Sequence, residues 1–362
     1  MKFKIYTSKI PPAIMAFMIG CLLLTGGTLI AQDTTVAAND APVAKKVKPV
    51  KNTFQSVWII DNQTILVPVK GTFEMDIQHR FGSINNGYQD FWGFFAPSNI
   101  RLGFSYVPFN KLNIGLGVTK TTAVSANQTT PSPVSGPFWD GSLKYSIITQ
   151  TKGVYPVSVT YYANVGFNTK KDPDHNIYRD SKNSLLKMHL SSDRLSYFHQ
   201  LIIARKITDK ISVQVAPSIS HQNVVNGYFV KLNDSTLEIK PEMKSTHFAI
   251  AFAVRYKLTN VTSLMAGYDQ PITTHTLNNP NPNLSFGLEF NTSSHSFQVF
   301  FTNFFYLNPQ VNNLYNHNSP FTNTQQYLTK NATPGLDPVL NNRKAEGGKF
   351  LIGFNITRLW NY

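Results

Sequence analysis

The residue types in this chain that could do chemistry are few and scattered. His189-Leu190-Ser191 and His317-Asn318-Ser319 share a His-x-Ser spacing, which on a strand puts a general base beside a hydroxyl nucleophile. A hydrolase can use such a pair. Both matches fall in stretches read as loops, and two matches among nine histidines are close to chance. His175, His189 and His317 are metal-ligand types, but their wide separation makes solvated loop residues the better reading. No G-x-S-x-G, H-E-x-x-H or phosphate-binding loop occurs, so no cofactor is expected. The single cysteine, Cys21, excludes an intrachain disulfide and any multi-cysteine zinc site.

A more orderly set is eight charges, Glu74, Asp76, Arg80, Arg101, Lys144, Arg255, Lys257 and Glu289, on one parity of alternating segments. Charges held away from water must be paired or hydrated. Eight of mixed sign fit either a water-filled passage, where they set ion preference, or an ion-paired plug.

What positions them is a period-two pattern that begins at Gly71. Phe73, Met75, Ile77, His79 and Phe81 oppose Thr72, Glu74, Asp76, Gln78 and Arg80. Leu112, Ile114, Leu116 and Val118 oppose Asn113, Gly115, Gly117 and Thr119. Phe248, Ile250, Phe252, Val254 and Tyr256 oppose Ala249, Ala251, Ala253 and Arg255. Twelve such segments are counted, with 10 or 14 as alternatives. The large apolar face suits lipid, and the opposite face, dominated by Gly, Ser, Ala and Asn, suits a crowded lumen. Strands in lipid must close, because open edges leave backbone groups unsatisfied. Connections 107–111, 149–156, 208–210, 259–260 and 291–294 are short; those near 82–98, 120–139, 168–193, 221–246, 269–283 and 303–348 are long. The expected fold is therefore all-β: a closed antiparallel up-and-down transmembrane β-barrel over 71–362. An even strand count places both termini in the periplasm.

The composition agrees. Of 362 residues, 13% are aromatic and 14% charged, well under the usual charged share of about 25%. Beyond the first 31 residues no apolar run approaches the ~20 residues of a membrane helix. Residues 1–31 carry Lys2, Lys4 and Lys9, an apolar stretch Ala13–Leu24 and small residues to Ala31, the plan of a secretory signal; an uncleaved anchor is the other reading. Cys21 sits inside the apolar stretch, which argues against lipidation. Cleavage after Ala31 removes three lysines and no acid, taking the net charge from +14 to +11. Residues 32–53 read as a basic flexible linker; its clustered lysines have no interleaved aromatics, so nucleic acid is not an expected partner. Residues 54–70 read as an apolar hairpin turning at Asp61-Asn62. It either covers the periplasmic mouth or folds into the lumen, packing near Phe198 and Ile202, with Ile60 and Ile202 adjacent. Phe350, Ile352, Phe354, Ile356, Trp360 and Tyr362 in register resemble the C-terminal signal of outer-membrane barrels, interrupted by Arg358.

The motifs in order resemble a family of predicted outer-membrane β-barrel proteins of unknown function from Gram-negative bacteria. The matching pieces include His79-Arg80-Phe81-Gly82, Ile84-Asn85-Asn86-Gly87, Arg101-Leu102-Gly103-Phe104 and Asp140-Gly141-Ser142-Leu143-Lys144-Tyr145. Leu195 to Lys206, Arg255-Tyr256-Lys257-Leu258-Thr259, Phe297-Gln298, Phe301-Thr302-Asn303 and Gly353-Phe354-Asn355-Ile356 complete them. The resemblance implies location and fold over most of 54–362, with no activity and no functional residues. The expected function is a channel or uptake protein for a small solute. A non-transporting surface barrel acting through long loops is the second reading, and a lipid-modifying enzyme the third. Outer-membrane lipid and the barrel-assembly machinery are the expected partners; oligomeric state is left open.

Overall fold

The computed structural model describes residues 48–121, 136–169, 177–178, 191–233, 236–241, 243–275, 279–320, 346–347 and 349–361. Signal residues 1–31, His175, His189 and Tyr362 lie outside them. Two short strands, β1 (Trp58–Ile59) and β2 (Asn62–Gln63), precede the barrel. The barrel itself uses β3 (Thr72–Ser83), β4 (Asn99–Phe109), β5 (Leu112–Thr121), β6 (Gly136–Ile148), β7 (Ser158–Asn168) and β9 (Leu195–Lys206). It continues through β10 (Ile211–Gln222), β13 (Thr246–Lys257), β14 (Thr262–Pro271), β15 (Asn283–Asn291), β16 (His295–Thr302) and β19 (Leu351–Asn361). These twelve strands close, each antiparallel to its neighbour, and β19 returns to pair with β3. The seam holds from Arg80↔Gly353 to Thr72↔Asn361, with one irregularity at Leu351/Gly353.

The alternation in sequence becomes alternation in space. Along β3, Thr72, Glu74, Asp76, Gln78 and Arg80 are buried and their odd-numbered neighbours are not. Leu102, Phe104, Leu116, Leu143, Phe286 and Val299 are exposed, a belt of large apolar side chains far beyond what a water-facing surface carries. Inward glycines make room for the charges. A Cβ on Gly103 would meet the Asp76 carboxylate, and one on Gly117 the Arg101 guanidinium. At the end with short turns, Tyr106, Phe73 and Trp360 share one row, Phe73 pairing with both. Arg358 lies over the Trp360 ring at 4.6 Å, so its cation is held at the aromatic band rather than within the apolar belt.

The long connections are more structured than loops. At their end of the barrel, β8 (Ile177–Tyr178), β11 (Val225–Asn233) and β12 (Thr236–Pro241) form a three-stranded sheet, in stretches read from sequence as 168–193 and 221–246. Helix α1 (Pro309–Tyr315) lies in the connection after β16, and β17 (Asn318–Ser319) pairs with β18 (Glu346–Gly347). All seven residues of α1 are buried.

Closure rests on the β3–β19 seam, since the open form leaves two unpaired edges in lipid. Deleting 351–361 is expected to abolish the compact, heat-modifiable form on detergent gels. A truncated chain that still shows that form would contradict the seam's role.

Candidate functional site

The candidate site is the lumen, and two segments occupy it. The first enters from the end with short turns, where the Val50 N–H donates to the Gln150 carbonyl at 2.8 Å. Its β1–β2 hairpin turns at Ile60-Asp61, one residue earlier than the sequence suggested. Ile60 stands at φ 61°, a strained setting for a β-branched residue. The barrel wall holds it there: the Ile60 N–H donates to Gln298 Oε1 at 3.1 Å, and its carbonyl accepts from the Asn355 amide. The early turn also frees Asn62 to donate to both oxygens of Asp269, at 3.0 and 3.1 Å.

Further contacts ring the hairpin. Gln298 donates to the Trp58 carbonyl (2.7 Å), Gln200 to Asn62 Oδ1 (3.2 Å), Lys144 Nζ to Gln63 Oε1 (2.7 Å) and Gln214 to the Gln63 carbonyl (2.8 Å). Thr160 donates to the Ile65 carbonyl at 3.2 Å. Apolar contact divides into two clusters. Ile59 and Ile60 pack with Ala253, Met265, Phe300 and Phe304. Ile65, not Ile60, meets Phe198 and Ile202. The expected Ile60–Ile202 adjacency is thus replaced, because the wall amides that fix Ile60 come from β16 and β19.

The second segment descends from the other end. Asn99 donates to the Phe305 carbonyl (2.6 Å), Gln310 to Asn164 Oδ1 (2.7 Å) and Tyr315 to Gln222 Oε1 (2.7 Å). Its apolar side, Tyr306, Val311, Leu314 and Tyr315, packs with Phe138, Val225 and Met243. The two segments meet where the Asn312 side chain lies beside the Asp61 carboxyl.

The wall charges form a connected set. Arg101 bridges two aspartates, with Nη1 2.8 Å from Asp76 Oδ1 and Nη2 2.8 Å from Asp140 Oδ1. Its Nε also reaches Asp140 at 3.1 Å, making that pair bidentate. The guanidinium sits 5.4 Å from the Trp58 ring centroid, linking wall and hairpin. Arg255 Nε pairs with Glu289 at 2.8 Å and its Nη2 meets Gln55. Glu74 accepts from Ser105 at 3.1 Å. Arg80, fully buried, lies 4.5 Å over Phe300 and donates to Asn355 at 3.0 Å. Seven of the eight charges singled out in the sequence are buried; Lys257 is half-buried at the short-turn end.

Sequence reading missed Asp140, Asp269 and Asp61. Asp140 shares parity with Lys144, and Asp269 with Gly267, so extending each alternation would have found them. Asp61 has no such signal, because its burial comes from the hairpin's position. Of the hydrolase candidates, His317 is exposed, with its carbonyl accepting from Asn281 at 2.8 Å. Among the described residues no group of three or more His, Cys, Asp and Glu side chains is arranged to hold a metal.

Several buried atoms of the wall and hairpin, among them Arg80 Nε and Nη2, Asp61 Oδ2, Asn113 Oδ1 and Gln214 Oε1, have no protein partner. Buried polar atoms of this kind are normally met by water.

Arg101→Met leaves Asp76 and Asp140 unpaired, and is expected to cost about 3–5 kcal/mol in urea unfolding. Gly117→Val displaces the same guanidinium and should destabilise in the same direction. Burial raises the Asp61 carboxyl, with Arg80 only partly offsetting it. A raised acid contributes docking stability that is full below its ordinary range and lost as pH rises through its docked value, here about 6. Hydrogen exchange of 56–64, corrected for intrinsic rates, should therefore slow at pH 5 relative to pH 7.5, and Asp61→Asn should erase the difference.

A family model described as a membrane bound beta barrel domain (DUF5777) matches residues 54–360. No curated protein matches the chain. Among solved structures it is similar to a KdgM porin, at 8% identity and TM-score 0.40 over 79% of this chain and 98% of that one. A NanC porin gives 8% and 0.41 over the same shares. The Pseudomonas putida toluene transporter TodX gives 11% and 0.34 over 82% and 91%.

Proposed function

The chain belongs to this family of membrane-bound β-barrel domains, and from that premise we propose that it is an outer-membrane passage for a small polar solute, closed at rest by its own N-terminal hairpin. The observation that carries this reading is how the N-terminal hairpin is held. Its strands are two residues each, and beside the apolar packing of Ile59, Ile60 and Ile65 it is held by a ring of hydrogen bonds from wall amides, Lys144 and Thr160. Water can replace such bonds at small net cost, since each contributes about 1 kcal/mol. A lumen lined with Gln, Asn, Ser and paired charges can keep a hydrated path once the hairpin leaves.

In this reading both termini are periplasmic, and the linker ending at 53 tethers the hairpin so that it can leave and return. The C-terminal strand, with Phe350, Ile352, Phe354, Ile356 and Trp360 outward, serves as the barrel-assembly signal. No catalytic pair is invoked, and a lipid-modifying role has no constellation to carry it among the described residues.

A second reading is favoured by one observation, the complete burial of α1 and its apolar packing against Phe138 and Met243. That describes a permanently filled barrel acting at the surface. Planar-bilayer recordings separate the two. Full-length protein is expected to show little current, and deletion of 54–65 a several-fold larger one. Tying a Gln63→Cys, Lys144→Cys pair with a short bis-thiol linker should suppress residual openings. A folded deletion variant that stays silent would overturn the passage and favour the filled barrel.

A further inference from the structure

The first long connection, after β3, does not behave like a solvated loop. Its 3-10 helix Ile84–Asp90 is capped by Ser83, whose hydroxyl accepts from the Asn85 N–H. Five aromatic side chains, Tyr88 within it and four just after it, are all exposed: Tyr88 and Phe95 each at 81%, with Phe91, Trp92 and Phe94 near half that. Exposed rings at this density are costly in water, yet the segment is ordered to present them. Phe91 and Trp92 stand at φ 51° and 54°, a left-handed setting that costs about 1–3 kcal/mol per non-glycine residue. Asp90, the sole charge between 84 and 96, is turned to internal use. Its carboxylate accepts from Asn86 at 2.8 Å and from the Gly93 N–H at 2.8 Å.

The direction of the fold-back matters most. The Gly82 N–H donates to the Gly93 carbonyl at 3.0 Å. The two glycines permit this approach, because a Cβ on Gly93 would strike the Gly82 carbonyl and one on Gly82 would strike Ala96. Phe94 thereby lands on Phe81, ring centroids 4.6 Å apart. Phe81 lies on the outward face of β3, where it meets His79 at 4.2 Å and Phe354 at 5.9 Å. The aromatic surface is therefore continuous with the lipid-facing belt of the barrel, over the wall and not over the mouth.

We propose that residues 84–95 form a membrane foot: an aromatic surface that seats in the interfacial layer of the leaflet at the long-loop end, with lipid as its partner. Aromatic rings favour that layer, the segment carries no free charge to oppose it, and the apolar continuity through Phe81 and Phe354 fixes which neighbour covers it. The strain at Phe91 and Trp92 is what directs these rings outward instead of into the lumen.

The test places an environment-sensitive fluorophore on Phe95→Cys in a Cys21→Ser chain, reconstituted in phosphatidylcholine vesicles. Asp209→Cys, in a short turn with a side chain 99% exposed, supplies the water-exposed reference. The foot predicts blue-shifted emission and several-fold quenching by lipids labelled shallowly on their acyl chains, with weaker quenching by deep labels. Emission matching the Asp209 site would overturn it. So would a blue shift without lipid quenching that grows with protein density, which would mean that a second copy covers the surface. Tyr88→Cys serves equally if the first variant folds poorly, with heat-modifiable migration as the check on folding.

Discussion

Everything in this molecule follows from one requirement, that no backbone amide at membrane depth go unpaired. The β3–β19 seam meets it by joining the first barrel strand to the last, almost 300 residues apart in sequence. Once the seam exists, every strand has two faces with fixed fates, and the side-chain alternation is forced. Odd positions of β3 must be acceptable to lipid, and even positions must share a narrow interior with eleven other strands.

That interior sets the second level of constraint. A lumen this crowded accepts a charge only with its partner and only where a neighbour gives up its side chain. Gly103 and Gly117 are the spaces into which Arg101 and Asp76 fit, and Asp140 completes the triad. Arg101 then faces Trp58, so the wall's strongest electrostatic unit also braces the inserted hairpin. Structural pairing and occupation of the passage are thus the same set of contacts. The two readings left open by the sequence, passage or ion-paired plug, need not exclude each other.

The barrel was legible because its signal is repeated twelve times. A period-two pattern with short and long connections in turn leaves little freedom, and the inward position of Glu74 or Arg255 follows from parity. The hairpin's turn was misplaced by one residue because the deciding partners, Gln298 and Asn355, lie more than 230 positions away. No local rule puts an isoleucine at positive φ. The connections were harder still. Helix α1 and the β8–β11–β12 sheet owe their order to the rim and interior they pack on, and the 84–95 stretch reads as an ordinary loop until its rings are seen against Phe81.

The hairpin's anchorage also orders events in time. The groups that fix its turn at Ile60 belong to the strands made last, β16 and β19, although the hairpin itself is synthesised before any barrel strand. Ile60 cannot hold its left-handed turn until Asn355 is in place, and Asn355 is in place only when the seam has closed. The earliest segment of the domain is therefore the last to reach its final conformation. Locking of this hairpin belongs to the end of assembly.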